Sequence, residues 1–263
     1  MISYYKQSRL TAYLGGAAAG IFAACAACLL LRERLPNILP RLFTAGIAAF
    51  VAINVILYVA RLLAMRAYQT TLLLLYEELD PTAFLQALTP MAAVKTDAST
   101  HCTTMVHIAN GYLYGGNAKK AIETLLAISV PEKAFEMRGL IESNLATCYL
   151  ALENADKAQL SMTRLQQLLT QPRCKKEFVT KGRHSLGYLQ ICLAIVRGKH
   201  VDSAILEHEF EQSRSPLHKV DVQLWLAKLY RHAGNHDAFL RARDYVIAHG
   251  NHLCAVAQAE KML

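Results

Sequence analysis

Two long apolar stretches open the chain, and shorter amphipathic ones follow. From Leu10 to Leu31 there are 22 residues without a charge, LTAYLGGAAAGIFAACAACLLL. From Leu42 to Ala60 there are 19 more, LFTAGIAAFVAINVILYVA. About 20 apolar residues at ~1.5 Å rise cross a ~30 Å hydrocarbon core, so both stretches read as transmembrane helices, over 10–31 and 42–60. The connector RERLPNILPR carries two prolines and three arginines, as a turn at a headgroup surface would. Residues 1–66 therefore read as a membrane hairpin. Gly16 and Gly20 form a GxxxG, which lets two helix backbones approach closely in lipid. The expected partner is the second span, and a homo-oligomer through the spans is the alternative. Asn54 is polar within an apolar span, so it is expected to face the first helix.

No breaker follows Arg61 before Asp80-Pro81, so the second span is predicted to run on as one helix to about Leu79. Asp80 then caps a new helix with Pro81 in its first turn, and Pro90 shortens or kinks it. Residues 67–97 read as connecting helices, closed by a polar break at Thr96–Thr100. From 98 to 263 the pattern is helix after helix, with turn residues every 15–20 positions and no period-two strand signal.

That region repeats. Ala109 is followed by Tyr112, Gly116, Ala121 and Leu125, in steps of three, four, five and four. The same steps fall on Ala146, Tyr149, Glu153, Ala158 and Met162, and more weakly on Cys192, Ile195, Lys199, Ala204 and His208. A fourth copy begins Ala227, Tyr230, Gly234, but its next alanine, Ala238, arrives one residue early. The pattern resembles the tetratricopeptide (TPR) repeat over roughly residues 98–250. A small residue and an aromatic sit on helix A, a glycine in the turn, and an alanine on helix B. Copies recur after 37, 46 and 35 residues, against about 34 in the family. The fold class expected is all-α: an N-terminal transmembrane hairpin followed by a TPR-like α-solenoid with a concave groove. The stretch 251–263 reads as a short helix capping the last pair.

The segment 112-YLYGGNAKKAIETLL-126 first invites a phosphate-loop reading. That chemistry needs GxxxxGK[ST] after an apolar strand. The spacing is absent and the preceding segment is helical, so the glycines read as the turn of the first repeat.

Charge and cysteines change the picture little. The net charge is +8, of which residues 1–66 hold +6, with seven basic residues against Glu33. The basicity therefore flanks the spans and predicts a lipid bilayer as partner, with no nucleic acid. Seven cysteines lie scattered, which fits a reducing compartment. Phe22-Ala23-Ala24-Cys25 loosely resembles a lipobox, yet the apolar run continues past Cys25 and a second span follows. Lys6, Arg9, Arg61 and Arg66 on the outer flanks outnumber Arg32, Arg34 and Arg41 in the loop. The expected place is thus the inner (plasma) membrane, with two spans and both termini and the repeat region cytoplasmic.

No motif pairs a nucleophile with a base, and no metal or cofactor set is expected. His232/His236 and His249/His252 straddle turns at Gly234-Asn235 and Gly250-Asn251. Arg173, Lys175, Lys176, Lys181 and Arg183 form a basic cluster suited to anionic lipid, an acidic partner or solvent. One TPR subclass grips a peptide carboxylate with two asparagines and several basic residues. Asn110 and Asn144 fall on its asparagine positions, but Val106 replaces the first basic residue and the third repeat supplies none. Asn110, Asn144 and Tyr114 remain the candidate groove residues. The expectation is a non-enzymatic membrane-anchored scaffold holding a protein or peptide at the cytoplasmic face. The alternative is an accessory subunit of a transport or secretion complex, bound through its spans.

Overall fold

The computed structural model describes residues 2–30, 37–93 and 97–262, with side chains from residue 11 onward. Arg32, Glu33, Arg34 and Thr96 lie outside the described residues. The described chain is helical, with no strand. It divides into two compact units, Met1–Thr70 and Thr71–Leu263.

The first unit holds α1 (Ile2–Leu30) and most of α2 (Ile38–Tyr76). Both are long and apolar enough to cross a membrane. Among the described residues, nineteen of the twenty-five exposed large hydrophobics lie in this unit, including Phe22, Leu30, Phe43 and Phe50. A core helix of a water-soluble domain buries such side chains, and these helices leave them open. The small residues of α1 meet α2. A Cβ added at Gly20 would stand 2.9 Å from Ile53 Cδ1, and one at Gly16 3.8 Å from Ile53 Cγ2.

The second unit begins with the last turn of α2. The helix ends at Tyr76, three residues before the expected stop near Leu79. Leu79 adopts a left-handed φ of 58°, and the Asp80 N–H bonds back to the Leu74 carbonyl. The chain thus leaves the helix through a left-handed residue, a place usually taken by glycine. Asp80 then caps α3 (Pro81–Ala92) by accepting from the Ala83 N–H at 2.9 Å. Pro90 sits inside α3 near its end. The polar break proves short: Asp97 accepts from the Thr100 N–H, and α4 (Ala98–Tyr114) starts at once.

The rest is a succession of packed helices: α5 (Ala118–Leu126), α6 (Phe135–Ala151), α7 (Ala155–Leu169), α8 (Lys176–Val196), α9 (Ser203–Gln212), α10 (Pro216–His232), α11 (His236–His249) and α12 (Cys254–Glu260). Each of α4, α6 and α10 packs on the helix that follows it. The even-numbered helices also pack in series, α4 on α6, α6 on α8, α8 on α10 and α10 on α12. The helix α9 packs chiefly on α10.

Three turns share one construction. Gly116, Glu153 and Gly234 have left-handed φ of 88°, 55° and 70°, each four residues after a tyrosine. The next residue is always asparagine. Its N–H bonds to the tyrosine carbonyl (Asn117 to Tyr112, Asn154 to Tyr149, Asn235 to Tyr230), ending one helix. Its side-chain oxygen accepts from a backbone N–H three residues on, starting the next. In the third copy the left-handed residue is Gly198, one position before the expected Lys199, and the next cap is Asp202. That longer turn shifts α9. Ala204, expected in the helix contact, is exposed, and Leu206 is buried instead.

Among the described residues two apolar clusters stand out in this unit. One gathers Val106, Ala109, Leu113, Ala121, Leu125 and Leu145, and the other spans α6 to α11 around Met162, Leu193, Leu206 and Trp225. Tyr149 packs against both. Ala109, Ala121, Ala146, Ala158 and Ala227 are fully buried, so a larger side chain at any of them would force its helix away.

The C-terminal helix does more than cap its neighbour. It packs on α11 and α10, and the thiol of Cys254 donates to the Leu113 carbonyl at 3.5 Å. The His252 N–H reaches the Leu79 carbonyl, and the Asn251 amide reaches that of Glu78 at 2.6 Å. The end of the second unit is thus joined to its beginning.

Candidate functional site

The even-numbered helices carry the polar side chains that water and the apolar clusters leave over. Asn110 on α4 is half-buried, and its amide donates to the Tyr76 hydroxyl at 3.2 Å. Tyr76 lies 2.9 Å from Nδ1 of His107, with the rings edge to face. Burial lowers the His107 pKa from its ordinary value, which favours the neutral ring. Asn144 on α6 donates to the Leu140 carbonyl of its own helix at 2.8 Å. Among the described residues, no donor reaches the side-chain oxygen of either asparagine.

Tyr114 lies one turn after Asn110 on α4 and is half-buried. Its pKa is raised well above the ordinary range by burial first, then by the Asp221 carboxylate and Tyr76. The same carboxylate anchors the densest polar cluster. Tyr188 on α8 donates to Asp221 on α10 at 2.8 Å. Burial raises the Asp221 pKa, opposed by the Tyr188 bond and by the His218 and Lys228 charges. His218 packs its ring edge on Tyr188 and sits 2.8 Å from Glu209 on α9. Glu209 also lies 3.4 Å from His184 on α8. One carboxylate thus lies between two imidazoles, and a tyrosine bonds a second carboxylate. They include no nucleophile. Cys192 and Cys148, the neighbouring thiols, are pushed up by burial, Cys148 to about 12, and so stay protonated. Nothing in the one-dimensional pattern pairs Tyr188 with Asp221 or His218 with Glu209. Those residues are isolated in sequence and meet only when α8, α9 and α10 pack.

Other polar features answer to local electrostatics. A cleft of about 420 Å³ is lined by Glu153, Lys228, Arg231, His232 and Lys261, over Ile195 and Met262. It lies where the C-terminal ends of α8, α10 and α12 gather, and cations there complement the exposed carbonyls. Lys228 reaches Glu153 at 3.4 Å and lies over the Trp225 ring. In the basic cluster, Lys175 pairs with Glu136 and Lys181 with Glu177. Glu207 accepts from the Tyr230 hydroxyl, so it is no free carboxylate. Among the described residues no group of three His, Cys, Asp or Glu side chains converges for a metal ion.

In the first unit, Gly16 and Gly20 face Ile53. Asn54 does not turn to α1. Ile53 occupies that contact, and the next residue points about 100° away around the helix. Asn54 is exposed, with its amide on the Phe50 carbonyl at 2.8 Å.

No known protein family, curated protein or solved structure matches the chain.

Proposed function

We propose that the chain is a membrane-anchored TPR-like scaffold, with α1 and α2 in the inner membrane and the helical repeat presented to the cytoplasm. The observation that carries this reading is the contrast in exposure between the two units. Apolar side chains face outward along α1 and α2, while those of the second unit are gathered into two clusters. The recurring tyrosine–turn–asparagine construction supports a repeat solenoid of helix pairs. The side-chain oxygens of Asn110 and Asn144, on neighbouring helices of the even-numbered series, are acceptors for the N–H groups of a protein or peptide segment. Tyr114, one turn after Asn110 on α4, shares that face.

Membrane fractionation with alkaline carbonate tests the anchor: the full chain stays with the membrane and residues 67–263 do not. Affinity capture from detergent extract tests the scaffold, comparing wild type with the Asn110→Ala/Asn144→Ala double variant. Loss of a captured protein in the double variant is expected. An identical set of captured proteins would overturn the use of that face.

A second reading has its own observation, the exposed Asn54. It makes the spans themselves the binding element, as in an accessory subunit of a transport or secretion complex. Removing residues 1–66 separates the two readings, because only the first lets the remainder keep its partner.

A further inference from the structure

The amide of Asn54 has a place in the fold but no matching group. One N–H bonds the Phe50 carbonyl, four residues back. Among the described residues its second N–H and its carbonyl oxygen have no partner. Asn54 lies about 18 Å along the helix from Leu42 and ~9 Å from Ala60, at ~1.5 Å per residue, which is well inside the apolar stretch. An amide left open at that depth in lipid gains from any hydrogen-bonding partner. The first helix cannot supply it, because the α1 contact is made through Ile53 against Gly16 and Gly20.

The face around Asn54 is also uncovered. Residues three, four and seven positions away share it: Ile47, Phe50, Val51 and Tyr58. All four are exposed, Phe50 at 68% and Tyr58 at 63%. They give a strip of large side chains about three turns long with a polar group within it.

We propose that this strip is a self-association surface and that its occupant is the same strip of a second copy. The proposal rests on the membrane reading of α1 and α2. Two copies inserted in the same orientation hold Asn54 at the same depth, so each amide meets its counterpart without further adjustment. An amide carries both a donor and an acceptor, so one pair makes two reciprocal hydrogen bonds about a two-fold axis. A different protein would need a polar side chain at that same depth. The small-residue face of α1 is not the contact between copies, since it is spent within the hairpin.

The test uses the full chain in lipid vesicles, donor- and acceptor-labelled on the C-terminal unit, with energy transfer followed as lipid dilutes protein. Wild type is expected to associate. Asn54→Leu is expected to lower the association constant roughly tenfold, and Asn54→Gln, which keeps the amide, to preserve most of it. Ile205→Ala, an exposed change in the second unit, is expected to leave association unaltered. Carbonate extraction of the same preparations separates the two ways to fail. Release of the chain overturns the membrane reading and this proposal together. A retained but monomeric wild type, or an Asn54→Leu chain that associates as well as wild type, overturns the proposal alone.

Discussion

The Tyr188 hydroxyl donates to the Asp221 carboxylate at 2.8 Å, tying α8 to α10 across 33 positions of sequence. Burial penalises the charged form of Asp221. Tyr188→Phe removes the donor and leaves the carboxylate less compensated. A loss of about 1–3 kcal/mol in unfolding free energy is expected, read by denaturant titration.

The same carboxylate sets a pH dependence. Its folded pKa lies above the ordinary 3.8, so the folded chain holds the proton more tightly than the unfolded chain. The stability it contributes in acid is lost as pH rises from about 3.8 through the raised folded value. Asp221→Asn keeps an oxygen for Tyr188 and cannot ionise. Its stability is expected to lack that decline, and a variant curve parallel to wild type would refute the assignment.

His107 works in the opposite direction. Burial lowers its folded pKa below the ordinary 6.5, so the unfolded chain takes up the proton first. Stability is therefore expected to fall as pH drops below about 6.5 toward the folded value. His107→Phe should flatten that part of the profile, measured as the thermal midpoint between pH 7.5 and 5.5.

Two substitutions at equivalent turn positions are expected to have opposite signs. Glu153 holds a left-handed φ of 55° without being glycine. Glu153→Gly relieves about 1 kcal/mol of strain and loses only an exposed ion pair to Lys228, worth a fraction of that. At Gly116, φ is 88° and a Cβ would stand 3.2 Å from that of Cys254. Gly116→Ala should cost about 1–2 kcal/mol. Unfolding curves of the two variants, shifted the same way, would contradict this account of the turns.

Gly20→Leu places a branched side chain where a Cβ alone already comes within 2.9 Å of Ile53. The hairpin should loosen, seen as reduced crosslinking between cysteines placed on α1 and α2. Gly15→Leu serves as the control, because nothing lies within 4 Å of its added Cβ.

How much of this is legible in the sequence depends on the range of the interaction. The two membrane-length runs follow from composition alone. The buried alanines at 109, 121, 146, 158 and 227 follow from spacing, because close helix contact admits only a small residue there. The turn chemistry is local and is written in the chain as tyrosine, three residues, glycine or glutamate, then asparagine. It is found three times, and the repeat spacing marks its tyrosine and turn position but leaves out the asparagine. The third pair misleads because Gly198 opens its turn one residue early and Leu206 then takes the packing position of Ala204. Asn54 misleads because a polar residue in a span is expected to face the helix that could satisfy it, whereas Ile53 fills that contact. The Tyr188–Asp221 and His218–Glu209 pairs have no local signal, since each depends on helices that pack only in the finished unit.

An open stack of helix pairs can fray from its free end, one pair at a time. The bonds from Asn251, His252 and Cys254 to Glu78, Leu79 and Leu113 remove that free end. They also set an order in time. The carbonyls at 78 and 79 leave the ribosome more than 170 residues before the groups that will bond to them, so these bonds form only when the last helix arrives. A chain truncated before Asn251 would therefore be weakened at its start, and a protease would find the opening there.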